Sequence, residues 1–280
     1  MADAPPSPLA TPLPWDLVAD AYEREVVPMF EQFSWAALEA TRVFARGPGT
    51  PPPRILDVAC GPGTLAIMAA RRGAEVDAVD FSPQMVERCA QRIQAGGVLG
   101  ARVHQGDGQS LIFADATFDA AFSMFGLMFF PDRAAGYREL FRVLAPGGRA
   151  AVSSWQPLAA VPLFVTVFGA IGEAEPSLAG PSPTPPLTTA DDHRRELAAA
   201  GFVDIEVQEV RGSMIAPSTA ELWQSFQRTN APVVLMQRRL GAERWAAIAD
   251  HVFASLVSRF GEGPQTVIFP AWIGIGARPR

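Results

Sequence analysis

Apolar and polar positions recur along this chain with two periods, and the switches between them map its elements. Ile55 to Val58 and Glu75-Val-Asp-Ala-Val-Asp80 read as short buried strands. Arg102 to Asp107, Thr117 to Ser123 and Arg149 to Trp155 continue the series. Helical spacing fills the intervals: Leu65 to Ala70, then Met85, Cys89 and Ile93 behind the Ser82-Pro83 start, then a run from Asp132 to Leu144 that Pro146-Gly-Gly148 ends. Strands alternating with helices predict an α/β fold, a parallel sheet with helices on both faces.

Upstream, Trp15, Val18, Tyr22, Val26 and Phe30 recur at three- and four-residue intervals, followed by Phe33, Ala37, Leu38 and Thr41, and Pro28 divides them into two helices. Residues 1–14 hold five prolines and read as a mobile tail, and Arg46 to Pro53 as a linker. Beyond Pro157 the rhythm changes. Leu158–Ile171 reads as a helix entered through Pro162, and the Pro-rich 176–186 stretch as a lid or insertion. A short helix over Asp191–Ala200, a strand over Phe202–Val210, helices over Ser218–Arg228 and Val233–Phe260, and a strand over Thr266–Ile275 follow. The organisation expected is a tail over 1–14, amino-terminal helices over 15–46, and a core over 54–280 whose cap elements lie around 157–200 and 212–262.

An apolar fraction of 49% with 19% charged residues is that of a globular chain, and a net charge of −6 argues against nucleic acid as partner. Cys60 and Cys89 are too few for a disulfide framework or a zinc site, so both are expected to pack. No secretory signal or comfortable membrane span is visible, which makes a cytoplasmic location the expectation.

The chemistry gathers at strand ends. Cys60-Gly-Pro-Gly63 turns a strand into a helix, where free N–H groups favour polar ligand atoms. Asp80 ends the next strand, seventeen residues after Gly63, where a carboxylate accepts both ribose hydroxyls. Phe81 offers a flat face for a base, and Asp107-Gly108 an acceptor and an N–H for its polar edge. Two cofactor classes fit, dinucleotides and S-adenosylmethionine. Ala66 at the third glycine place and Pro62 in the turn disfavour the first.

The segments Ile55-Leu-Asp-Val-Ala-Cys-Gly-Pro-Gly63, Val79-Asp-Phe-Ser-Pro-Gln-Met85, Gln105-Gly-Asp-Gly108, Phe118-Asp-Ala-Ala-Phe-Ser123 and Leu140 to Arg149 resemble, in order, the motifs of class I S-adenosylmethionine-dependent methyltransferases. The likeness covers about residues 15–155 and is nearest to the subgroup of ubiquinone/menaquinone and small-molecule methyltransferases. It implies a Rossmann-like sheet with an antiparallel carboxy-terminal strand. It also implies that Asp57, Gly61 and Gly63 surround the methionine part of the cofactor, that Asp80 holds the ribose, and that Gly106, Asp107 and Gly108 lie by the adenine. Phe81 and Met85 would pack on the base, Ser123 would lie near the methyl group, and Tyr22 would close over the cofactor. Ala59 stands where many members have glycine.

The function expected is methyl transfer to O, N or C of a small, largely apolar or aromatic molecule. Leu127-Met-Phe-Phe130, Trp155, Phe164, Phe168 and Trp223 are candidates for its pocket. A non-methylating or regulatory S-adenosylmethionine-binding protein is the alternative, and an NAD(P)-dependent oxidoreductase a weaker one. His104, His193 and His251 are isolated in sequence, so no catalytic base is assigned and no metal-ligand cluster is visible.

Overall fold

The computed structural model describes residues 7–178 and 187–280. Most of the Pro-rich 176–186 stretch and the first six residues of the expected tail lie outside the described residues. Residues 8–10 form a single helical turn tied to the next helix by the Trp15 indole, whose Nε1 donates to the Leu9 carbonyl at 2.9 Å.

The amino-terminal helices are α1, Leu13–Glu25, and α2, Val27–Thr41, with the break at Val26 and Pro28 in the first turn of α2. The sheet then begins: β1 Arg54–Val58, α3 Thr64–Arg71, β2 Glu75–Asp80, α4 Pro83–Ala95, β3 Ala101–Gln105, β4 Phe118–Met124, α5 Arg133–Val143 and β5 Leu144–Trp155. The polar caps expected of Ser82 and Asp132 are present: Ser82 Oγ accepts from Met85 N at 3.1 Å and Asp132 Oδ1 from Ala135 N at 2.9 Å. After α6, Pro162–Ala174, and α7, Ala190–Ala199, the chain forms β6 Val203–Ala216, α8 Thr219–Thr229, α9 Ala231–Leu240, α10 Ala242–Phe260 and β7 Gln265–Ala277.

The strands lie in the order β3-β2-β1-β4-β5-β7-β6, with β1 to β5 parallel and β7 antiparallel to both neighbours. The order reverses between β1 and β4, and that is where a crevice opens at the carboxyl ends of such sheets. One face of the sheet is covered by a buried cluster from α2 and α3 with Ile55, Phe122 and Ile273, and the other by Leu56, Tyr137, Leu140 and Leu197 from β1, α5 and α7. A third cluster joins α2, α6, α8 and α10 above the ends of β4 and β5.

Several elements differ from the sequence expectation, β5 among them, which begins at Leu144 rather than Arg149. The stretch 233–260 is helical as expected, and Gly241, with a φ of +79°, divides it into two helices. β6 runs six residues past Val210, paired with β7 as far as Ala216. Gly212 permits this, since a Cβ there would lie 2.4 Å from the Phe33 ring on α2.

Candidate functional site

The crevice between β1 and β4 is built on backbone that few residues adopt. Ala59, Gly61 and Gly63 all have positive φ, at 56°, 54° and 76°. The turn therefore leaves β1 through three left-handed residues in five. Glycine meets this at no steric cost, whereas Ala59 carries about 1–2 kcal/mol of strain. Across the crevice Phe125 follows β4 with a φ of 60°. Its N–H donates to Ser153 Oγ at 2.9 Å, and its ring stacks on Trp155 at 3.9 Å between centroids and meets Phe30 and Phe33 edge-on at 5.0 Å each. Those contacts hold the strained residue in place.

Asp80 stands between the two sides. It is 5% exposed, its Oδ2 accepts from Gly61 N at 2.8 Å, and its Oδ1 accepts from Ser82 N at 2.9 Å. Burial pushes its carboxyl up to about 6 despite these N–H donors, and the charge of Asp16 adds to the rise. The carboxylate keeps acceptor capacity for a ligand hydroxyl beyond these bonds.

A cavity opens over Asp80, and nine of the twelve predicted site residues line it: Tyr22, Ala59, Gly61, Asp80, Phe81, Met85, Gly106, Asp107 and Gly108. Asp107 is exposed at its rim and accepts from Gln109 N at 2.8 Å. Gly108 is buried, and a Cβ there would sit 2.5 Å from Phe130 and 2.7 Å from Val58. Burial, with the nearby charge of Asp80, pushes the Tyr22 phenol well above its ordinary range.

The other three do not reach the cavity. Asp57 is buried beneath the turn, where its Oδ2 accepts from Ala66 N at 3.1 Å, and burial lifts it to about 7. Gly63 starts α3 against Cys89, whose Sγ would lie 2.4 Å from a Cβ at that position. Ser123 is fully buried, and its Oγ accepts from Leu127 N at 3.1 Å, so it shapes the turn after β4.

Sequence reasoning did not assign Leu9, Trp15, Gln109, Met124, Phe125 or Gly126, which also line the cavity. The residues just after β4 were open to the same strand-end argument that found Asp80. Of the expected substrate pocket, Phe129 and Phe130 line the cavity; Leu127 and Met128 beside them do not, nor do Trp155, Phe164, Phe168 and Trp223. Those four belong to the aromatic cluster under the cap: Phe164 packs on Phe226 and Phe269, and Trp223 on Phe226 and Trp245. Aromatic side chains at the junction of three helices bury more area against each other than against a cleft.

The histidines lie elsewhere. His104 Nε2 is 2.8 Å from Asp77 Oδ1, and His251 Nε2 is 3.3 Å from Glu173 Oε2. His193 is fully buried with Nε2 2.7 Å from Ser154 Oγ, and burial pushes it down to about 4. The two free cysteines are both buried and meet beneath the glycine turn, where Cys60 is raised first by its hydrogen bond with Cys89 and then by burial. Among the described residues no helix is long and apolar enough to cross a membrane.

Comparison with known proteins bears on this geometry. Residues 55–148 match a family model described as a methyltransferase domain. The demethylmenaquinone methyltransferase of Thermus thermophilus is 44% identical over 108 residues, which cover 38% of this chain and 49% of that protein. The chain spans about half or less of the length of the curated relatives it matches. A phosphoethanolamine N-methyltransferase of Haemonchus contortus, solved in complex with S-adenosyl-L-methionine, shares the fold with a TM-score of 0.57 and 18% identity, over 95% of this chain and 57% of that one. The cyclase SpnF shares it with a TM-score of 0.53 and 20% identity, over 89% of this chain and 81% of that one. Over residues 55–148 the chain is thus similar to methyltransferase domains, and its fold is one that solved methyltransferases share.

Proposed function

We propose that the chain is a class I methyltransferase that transfers the methyl group of S-adenosylmethionine to a small, largely apolar or aromatic acceptor. The observation that carries the reading is the charge of the cavity. Among the described residues, Asp80 and Asp107 are the only formally charged ones that line it, and both are negative. Such a site favours a donor that bears positive charge and disfavours the pyrophosphate of a dinucleotide. Pro62, without an N–H, weakens the turn further as a phosphate cradle.

In this reading Asp80 accepts the ribose hydroxyls while Gly61 and Ser82 hold its orientation from behind. Asp107, Gly106 and Gly108 take the adenine edge, and Phe81 and Met85 its faces. Ala59 and Gly61 border the methionine part, and Tyr22 closes over it. Asp57, Gly63 and Ser123 act one layer back by fixing the two turns. Bound there, S-adenosylmethionine supplies a methyl group already activated by its positive sulfur. The chain's own work is alignment and exclusion of water. Met124, Phe125, Phe129, Phe130 and Trp15 give the rest of the cavity its apolar wall. A flat acceptor is oriented by such rings at little entropic cost. The Tyr22 phenol stays protonated at neutral pH, so it can donate a hydrogen bond to the acceptor but not take its proton.

A quinone precursor is the first acceptor to try, given the activity named for the Thermus relative. Titration should show binding of S-adenosylmethionine and none of NAD(P); the reverse result would overturn the cofactor reading. A labelled-methyl screen over phenols, amines and quinone precursors then identifies the acceptor. One observation favours a second reading, a protein that binds the same cofactor without methylating: the fold is shared with a cyclase. Cofactor binding with no transfer across the whole screen would support it.

A further inference from the structure

One hydrogen-bonded relay runs from the amino-terminal helix into the cofactor site. Asp16 on α1 accepts at Oδ1 from Ser82 Oγ at 2.6 Å and from Gln84 N at 3.2 Å. Ser82, fully buried, passes the contact on through its own N–H, which donates to Asp80 Oδ1 at 2.9 Å, and Asp80 Oδ2 takes Gly61 N. Asp16 thus joins α1 both to the first turn of α4 and, through one residue, to the carboxylate assigned to the ribose.

The segment held by this contact is the one that covers the cavity. Trp15, next to Asp16, packs its ring on Phe129 at 5.0 Å between centroids and bonds back to Leu9, so the turn at residues 8–10 is carried with it. Leu9, Trp15 and Tyr22 all line the cavity. Further along α1, Asp20 and Glu23 meet Arg88 of α4 at 3.1 and 3.8 Å, partly exposed ion pairs that screening weakens. The Asp16–Ser82 bond is half-buried and charge-assisted, so it is the stronger tie between α1 and α4.

We propose that Asp16 is a positioning residue: it latches the amino-terminal segment over the cofactor, so that donor entry and product exit require its bond to Ser82 to break. The inference rests on the cofactor reading above. The groups that face Asp80 are Asp16 and Tyr22 from α1, Asp57 from β1 and the Cys60 thiol from the turn. None brings a positive charge, so removing the charge of Asp16 makes Asp80 easier to ionise.

The test is Asp16→Asn, which keeps the size of the side chain and removes its charge, with circular dichroism to establish folding. In the ligand-free protein, amide hydrogen exchange over residues 8–25 should speed up in the variant. S-adenosylhomocysteine should dissociate roughly tenfold faster, the scale of one hydrogen bond to a charged group. The acid midpoint of its binding should move to lower pH, which a purely structural role would not produce. Unchanged exchange together with a dissociation rate within about twofold of wild type would overturn the latch. Faster dissociation with an unmoved midpoint would overturn the effect on Asp80. If the wild type bound no S-adenosylhomocysteine, the cofactor reading would fall and take the exchange route with it, while hydrogen exchange would still decide whether Asp16 holds the segment.

Discussion

Ala59 and Gly126 face each other across the mouth of the cavity, and their contact can be measured as a coupling energy. A Cβ at Gly126 would lie 2.2 Å from the Ala59 Cβ, a separation real side chains do not reach. Of its other neighbours, Ser123 Oγ at 3.3 Å is tight and the Ala59 Cα at 3.5 Å is in ordinary contact. Gly126 itself has a φ of −94°, where alanine is at ease. Gly126→Ala should therefore cost about 1–3 kcal/mol, all of it overpacking. Ala59→Gly removes the opposing atom and relieves about 1–2 kcal/mol of left-handed strain, but frees the unfolded chain by about 0.4–1 kcal/mol, so alone it should be near neutral or mildly stabilising. In the double variant the 2.2 Å clash is gone, and the tight contact with Ser123 Oγ offsets the gain of about 0.4–1 kcal/mol from the stiffer unfolded chain, so Gly126→Ala should be near neutral there. The cycle, read from urea unfolding midpoints at constant slope, should thus show a coupling of about 2 kcal/mol. Effects that add to within about 0.5 kcal/mol would mean the two atoms do not meet, and that the turns of β1 and β4 are spaced differently.

Asp80→Ala should weaken S-adenosylmethionine binding roughly 100-fold or more, the loss of two hydrogen bonds to a charged acceptor, as read by calorimetry; an affinity within about threefold of wild type would remove its ribose role. Gly108→Ala should push Phe130 out of place, lowering both unfolding midpoint and cofactor affinity, because its Cβ would meet that ring at 2.5 Å. His193 titrates about 4 in the fold against an ordinary 6.5, so the protonated form is disfavoured by folding. The stability it provides is full above pH 6.5 and is lost as the pH falls through about 4, by on the order of 3 kcal/mol at most. His193→Gln should flatten that limb in urea titrations at pH 4.5 and 7, and an unchanged slope would place the acid sensitivity elsewhere.

Much of this was legible because the parallel sheet writes itself twice in the sequence, once as short apolar runs and once as the acids that end them. Asp80 stood out because a carboxylate closing a buried strand is costly to bury and calls for donors or a ligand beside it. The caps of Ser82 and Asp132 were readable for a similar reason, since each serves orphan N–H groups at a helix start. The failures share a cause. Ser123 alternates in phase with core residues of β4, and a hydroxyl that caps the following turn has the same sequence signature as one that faces a ligand. Trp155 and Phe164 are of the types that line apolar pockets and also of the types that fill cores, so only the packing of α6, α8 and α10 could separate the two. Gly241 sits in an unbroken helical pattern, and its positive φ is a property of the backbone rather than of any period.

The strain at the site has the same logic. Four residues at the carboxyl ends of β1 and β4 are left-handed, and two of them, Ala59 and Phe125, are not glycine. An unstrained chain would leave each strand in its own direction; these turns bend both strands' exits toward one crevice. The glycines make that bend without cost, but Ala59 and Phe125 need outside support. Ala59 is accommodated because Gly126 opposite it has no side chain, and Phe125 because Trp155 and Ser153 hold its ring and its N–H. The aromatic cluster under the cap therefore serves the site without lining it. A substitution at Trp155 would loosen Phe125 and, through it, the wall of the cavity, although Trp155 lies outside that wall. The second half of the chain is in this way coupled to the cavity over Asp80 by packing alone, along a path of three residues from Trp155 through Phe125 to Gly126.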